Sequence, residues 1–253
     1  MEKPKERTSS AAFTPYRIGV VAVAVVLSAL ASVSYLLRLA QVAPGSTGRL
    51  FLLNIAMFGI TSCFAVWTAH SLSMPSLLLL SSLSPGVRVR RFVFYGLAMG
   101  LVISYVNGAI YSASSGGALQ PWYFDRLRDQ LDVLALCARS AFAEETLYRL
   151  FAIPFFVSVL MRVKYGWRPG RRIGDVGITL VTGEAPDRWM VVLALASSSV
   201  FFALAHPFNS LPALLFGTVL GFIFLRGGWE SAVAAHFLAN YVVLSALAEN
   251  NFI

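Results

Sequence analysis

Long apolar runs, several of them about 17–25 residues, alternate along this chain with short polar connections. The first is Ile18–Leu39, closed by Pro44-Gly45. Leu50–His70 follows, and Met74-Pro75 ends it. Arg88, Arg90 and Arg91 precede a third run, Phe92–Tyr111. A fourth begins near Leu131 and continues to about Met161, with Pro154 as a candidate kink. Trp189–His206 is stopped by Pro207, Leu211–Leu225 by Arg226-Gly227-Gly228, and Trp229–Leu247 is the last. Each run is apolar all round. A transmembrane β-strand would alternate over about ten residues, and a lipid-exposed backbone must satisfy its own hydrogen bonds. The pattern therefore predicts an all-α, polytopic membrane helix bundle of about seven transmembrane helices. Ala29-Leu30-Ala31 resembles a signal-peptide cleavage site, but the first run continues past it through Tyr35, Leu36 and Leu37, which favours an uncleaved helix. Leu77–Leu80 is too short to cross and reads as interfacial, as does the aromatic cluster Pro121-Trp122-Tyr123-Phe124.

Composition agrees with that pattern. The 253 residues are 57% hydrophobic and 13% charged, with mean hydropathy +0.71, whereas a soluble domain carries about 25% charged residues. The net charge of +8 would suit nucleic acid, yet the basic residues lie almost entirely in the connections. Of the 20 Lys and Arg, Arg38, Arg49, Arg126 and Arg128 fall in alternate, outer connections and Arg139 and Arg149 in the fourth run; the other 14 fall on the N-terminal side of the membrane. This is the signature of a multi-pass cell-membrane protein with a cytoplasmic N-terminus, partnered by the lipid bilayer and not by nucleic acid. Two units are expected: residues 1–125, a cytoplasmic tail with three accessory helices, and residues 126–253, a helix bundle with a basic connection at 162–188. That connection reads as a solvated loop. Cys63 and Cys137 sit in apolar runs without metal-ligand spacing, which suggests buried thiols.

Charge inside the apolar runs is concentrated at Ala141–Ala152, AFAEETLYRLFA. A charged group at mid-bilayer costs about 2.5–3.5 kcal/mol on insertion scales, so Glu144, Glu145 and Arg149 must face protein or a wet cavity. Glu145 and Arg149 share a helix face and can pair; Glu144 is turned about 100° away. A carboxylate in a water-poor pocket can act as a general base. A structural ion pair with one additional acid is the competing reading. His206 ends the fifth run, one turn after Phe202, and His236 and Asn240 share a face of the seventh. Two donors aimed at one point can form an oxyanion hole, or the histidines can be packing residues. His70, with no such companions, reads as interfacial. Gly217 and Gly221 form a GxxxG and read as helix packing.

Together, Glu144-Glu145-x-x-x-Arg149, Phe202-x-x-x-His206 and His236-x-x-x-Asn240, in that order on separate apolar runs, resemble the three signature motifs of the CPBP intramembrane proteases, which include the type II CAAX prenyl endopeptidases and the bacteriocin-processing Abi proteins. The resemblance covers about Leu131–Leu247, and Leu150 stands where many members have Gly. It implies hydrolysis of a peptide bond in a membrane-associated peptide or protein. Glu144 and His206 would activate the water, His236 and Asn240 would stabilise the oxyanion, and Glu145, Arg149 and Phe202 would support the site. No metal or other cofactor is expected. Zinc on two histidines and a glutamate is the alternative, although no HExxH is present. A catalytically silent immunity or scaffold protein is a second alternative. A proton-relay transporter is a third, weakened by the lack of paired broken helices or an inverted repeat. The layout contains one conflict. Glu144 and His206 fall toward one side of the membrane and His236 toward the other, so the spans must be offset, the site must open outward, or the helix count must differ by one.

Overall fold

The computed structural model describes residues 83–115, 130–165, 186–206 and 210–249, with scattered positions between 48 and 81. The first apolar run, most of the second, Cys63, His70, the 121–124 aromatic cluster and most of the 162–188 connection lie outside the described residues.

Five helices carry the architecture, and the described residues contain no strand. Helix α1 spans 85–115 and α2 spans 130–165; then come α3 (Arg188–Leu204), α4 (Ser210–Gly227) and α5 (Trp229–Glu249). Their ends follow the local chemistry. Pro85 occupies the first turn of α1 after an extended Ser84, where a missing N–H costs nothing. Gly228 separates α4 from α5 at φ +83, a left-handed conformation that L side chains rarely adopt, while its N–H still caps the Phe224 carbonyl at 2.9 Å.

Helix α5 is the centre of the bundle and packs against α1, α2 and α4, while α3 packs on α2 and α4. The α1–α5 contact depends on small residues. A Cβ on Gly100 would stand 2.9 Å from the Ala235 Cα, and one on Gly96 3.3 Å from the Ser231 Cα. This is the small-residue close approach of membrane helices, at a face the sequence reading did not single out. Ile153, Val157, Met161, Met190, Ala194, Leu220, Ile223 and Phe224 fill the core between α2, α3 and α4. The outside is apolar too: Tyr105, Leu131, Val192, Leu204 and Leu211 are all exposed. Three helices, Pro85–Ile110, Gln130–Lys164 and Ser210–Gly227, are long and apolar enough to cross a membrane, and Arg188–Leu204 is a shorter apolar helix. The described residues are all-helical, and the chain is a membrane protein.

Two stretches depart from α-helical register. Phe92–Ala98 in α1 and Glu145–Ala152 in α2 are π-helical. The second immediately precedes Pro154, which has no N–H to give to the Leu150 carbonyl. The expected proline kink is thus met by a change of register one turn earlier, through the segment that carries Glu145 and Arg149.

An offset between helices, one of the three arrangements open to the sequence, brings Glu144, His206 and His236 together. Glu144 lies 14 residues into α2 and His236 13 residues before the end of α5, which places each about 20 Å from that end. His206, by contrast, lies just beyond the end of α3. Both histidines nevertheless stand 3.8 Å from the same Glu144 oxygen, so the three share one level. Helices α2 and α5 therefore continue about 20 Å past the point where α3 stops. Along that extension Val133 and Cys137 of α2 pack against Phe237, Tyr241 and Leu244 of α5. Cys137 is a buried thiol, as expected.

Candidate active site

The π-helical turn of α2 presents Glu145, Thr146, Arg149 and Leu150 to the interior, all buried. Glu145 and Arg149 pair as their spacing predicts, with Arg149 Nε 3.4 Å from Glu145 Oε2. The guanidinium also donates from Nη2 to the Gly217 carbonyl at 3.1 Å and lies over the Phe202 ring, 4.5 Å from its centroid. Gly217 belongs to the site as well as to the packing. A Cβ there would stand 3.1 Å from Phe202 Cδ1 and 3.4 Å from Arg149 Nη2. On the other side of the turn, Ser198 of α3 donates its hydroxyl hydrogen to the Tyr148 carbonyl. That bond ties the π-turn to a neighbouring helix.

Phe202 is the spacer of the site. Its ring meets Tyr148 edge-on at 5.2 Å, lies tilted against the His206 imidazole at 4.5 Å, and meets His236 edge-on at 6.1 Å. Phe216 closes the far side of His236 with a perpendicular contact at 5.1 Å.

Each imidazole has one nitrogen committed. His206 Nδ1 lies 2.8 Å from the Phe202 carbonyl. A carbonyl only accepts, so Nδ1 carries the hydrogen and Nε2 of the neutral ring presents a lone pair. His236 Nδ1 lies 2.8 Å from Glu145 Oε1, and the same logic leaves Nε2 of this buried ring with the lone pair. Both Nε2 atoms are 3.8 Å from one atom, Glu144 Oε2. Glu144 is held through its other oxygen, which accepts from the Ser140 hydroxyl at 2.6 Å. Its Oε2 is buried and has no hydrogen-bond partner.

The sequence reading is thus refined at one point. Glu144 was expected to turn away from Glu145, yet the two adjacent carboxylates address opposite nitrogens of the same histidine. The structure brings Glu144, Glu145, Arg149, Phe202, His206 and His236 together. Asn240 is half buried one turn after His236 on α5 and makes no hydrogen bond to the cluster. Ser140, Ser198, Phe216 and the carbonyl of Gly217 were not anticipated. Ser140 could have been found, because it precedes Glu144 by one helical turn. Phe216 and Ser198 carry no sequence signal, since they reach the site only through packing.

Glu144, His206 and His236 are zinc ligands by type, and Glu145 behind His236 resembles the carboxylate that often orients a metal-bound histidine. Among the described residues, however, no group of three or more His, Cys, Asp or Glu is disposed to hold a metal ion.

Residues 128–242 match the sequence model of a family described as type II CAAX prenyl endopeptidase Rce1-like. The match begins just before α2 and ends within α5, and so contains the whole cluster. No curated protein and no solved structure matches the chain.

Proposed function

The chain belongs to the CPBP family of CAAX-type intramembrane proteases, and on that premise we propose that it is a multi-pass endopeptidase of the cell membrane that hydrolyses a peptide bond with a water activated by Glu144 and His206. The observation that carries the reading is the unpartnered Glu144 Oε2 at 3.8 Å from both imidazole Nε2 atoms. That separation is too long for a direct hydrogen bond, and a water about 2.8 Å from each atom of such a pair can bridge it.

The chemistry divides between the residues as follows. The water donates one hydrogen to Glu144 Oε2 and the other to His206 Nε2, leaving an oxygen lone pair for the scissile carbonyl carbon. As the C–O bond forms, Glu144 takes the proton. The carbonyl oxygen becomes an oxyanion. His236, having taken a second proton at Nε2 from solvent water before the peptide binds, donates it as a hydrogen bond to the oxyanion and keeps it throughout, with the Glu145 carboxylate holding the opposite nitrogen; this is the orienting logic of a catalytic triad. The Asn240 amide, one turn on, is the second donor. The C–N bond then breaks as Glu144 returns its proton to the leaving nitrogen. Arg149 balances the charge of Glu145 and fixes Phe202 between the two rings.

The test uses the full-length protein in bilayer discs with internally quenched peptides, prenylated and unprenylated at a cysteine near the C-terminus, together with a mixed-sequence panel. Cleavage by the wild type that is lost in Glu144→Gln and His206→Ala, and indifferent to chelator, supports the reading. Loss of cleavage with chelator and its return with zinc would replace it with the metal-dependent alternative. Equal background from wild type and variants would leave a non-catalytic member of the family.

A further inference from the structure

Resting on that reading of Glu144 as the base, we propose that Ser140 is a positioning residue: its hydroxyl locks one oxygen of Glu144 so that the other is presented to the reacting water. A serine hydroxyl inside a helix ordinarily turns back to the carbonyl four residues earlier. In this chain Thr68, Ser104, Ser158, Ser199, Thr218 and Ser231 all do so. Ser140 has a single hydrogen to give, and it sends it forward one turn to Glu144 Oε1 at 2.6 Å instead of back to the carbonyl of Leu136.

That choice matters because of what surrounds the carboxylate. The terminal torsion of a glutamate is broad and roughly two-fold, so nothing intrinsic to Glu144 decides which oxygen faces the imidazoles. Glu145 needs no such device, since Arg149 and His236 hold both its oxygens. For Glu144 the only hydrogen bond to the carboxylate among the described residues is the one from Ser140. Without it, Oε1 has no donor, the group swings between orientations, and the two imidazoles no longer face a fixed oxygen. The hydroxyl touches neither water nor substrate in this account. It acts only through Glu144.

The experiment compares Ser140→Ala, Ser140→Thr, Ser158→Ala and Glu144→Gln on a quenched peptide that the wild type cleaves, with thermal unfolding of each in detergent. Misplacing a reacting group by about 1 Å can cost on the order of 100-fold in rate, so kcat of Ser140→Ala should fall roughly 10- to 100-fold. Its KM should stay within about two-fold and its unfolding temperature should match the wild type. Ser140→Thr keeps the hydroxyl and should recover most of kcat. Ser158→Ala removes a hydroxyl that bonds only a backbone carbonyl and should cleave normally. Wild-type kcat in Ser140→Ala, with Glu144→Gln inactive, overturns the inference and leaves the glutamate reading standing. A joint fall of kcat, unfolding temperature and Thr rescue also overturns it, because it would mark Ser140 as a packing residue. An active Glu144→Gln overturns the glutamate reading itself.

Discussion

Glu144 and Glu145 are neighbours in the chain and opposites in the structure. Glu145 is fully buried, paired with Arg149 and hydrogen-bonded to His236. Around it lies a closed half of the site, in which the Gly217 carbonyl, the Phe202 ring and the Tyr148 ring surround the guanidinium. Glu144 is about a quarter exposed, keeps one oxygen unpartnered and faces two imidazoles. It lies at the level where α3 stops and α2 and α5 continue. The same side-chain type is a brace in one half and a reagent in the other. The difference is set by what each carboxylate finds opposite it: a fixed cation and a ring N–H for Glu145, lone pairs and a gap for Glu144.

The sharpest way to break this comparison is to neutralise each carboxylate's half and ask which property is lost. Glu144→Gln keeps shape and removes the base. General-base catalysis contributes about 10²–10⁴-fold, so cleavage should fall by that range while the unfolding temperature is unchanged. A Glu144→Gln protein that unfolds early would mean that both glutamates are braces.

Much of this was legible in the chain. The last three helices fall within two residues of the ends read from apolar runs and their stops, because Pro207, Gly228 and the flanking charges act locally. The participants at the site were legible because charge inside an apolar run demands a partner. What was hidden depends on contacts between helices. The π register of Glu145–Ala152 turns both glutamates toward one histidine, and no spacing rule for an α-helix predicts that. The small-residue face of α1 is an exception: Gly96 and Gly100 have the same GxxxG spacing as Gly217 and Gly221, so its sequence signal is equally present. The offset of α3 appears only when His206 and His236 are seen at one level.

The next effect belongs to the closed half. Arg149→Met leaves Glu145 as a buried carboxylate whose only remaining partner among the described residues is His236. Breaking a buried pair in this way costs about 3–5 kcal/mol. Unfolding in detergent should register that loss whether or not substrate is present. Adding Glu145→Gln to the same chain removes the stranded charge and should return part of the stability, a non-additivity that a double-mutant cycle measures. If Arg149→Met unfolds like the wild type but does not cleave, the guanidinium belongs with the reagents and the division drawn above is misplaced.

Gly217→Ala probes the seam between the halves. The new methyl would press on Phe202 Cδ1 at 3.1 Å and Arg149 Nη2 at 3.4 Å, and overpacking of this kind costs about 1–3 kcal/mol. Phe202 separates His206 from His236, so cleavage should fall along with stability. Loss of stability alone would show that the ring yields without moving the histidines.

The smallest effect comes from an ion pair outside the membrane-spanning core. Lys164 at the end of α2 and Asp187 at the start of α3 pair across the 166–185 connection, and Trp189 Nε1 donates to the same Asp187 oxygen at 3.1 Å. The chemistry resembles that of Glu145 and Arg149, but both side chains are more than a third exposed, so water and salt screen the pair. The hydrogen bond from Lys164, then its charge, then the bond from Trp189 hold the Asp187 carboxyl below the usual carboxylate range. A carboxyl depressed in the folded state contributes its stability in full above the ordinary Asp value of about 3.9 and loses it as pH falls through that value and below. Unfolding temperatures of wild type and Asp187→Asn should therefore differ by a small, constant amount from pH 8 to pH 5, converge only in the acid range, and lie closer at high salt. A difference at neutral pH as large as that of Arg149→Met would mean that exposure does not decide what a carboxylate–cation pair contributes in this protein, and the contrast between the two glutamates would need another cause.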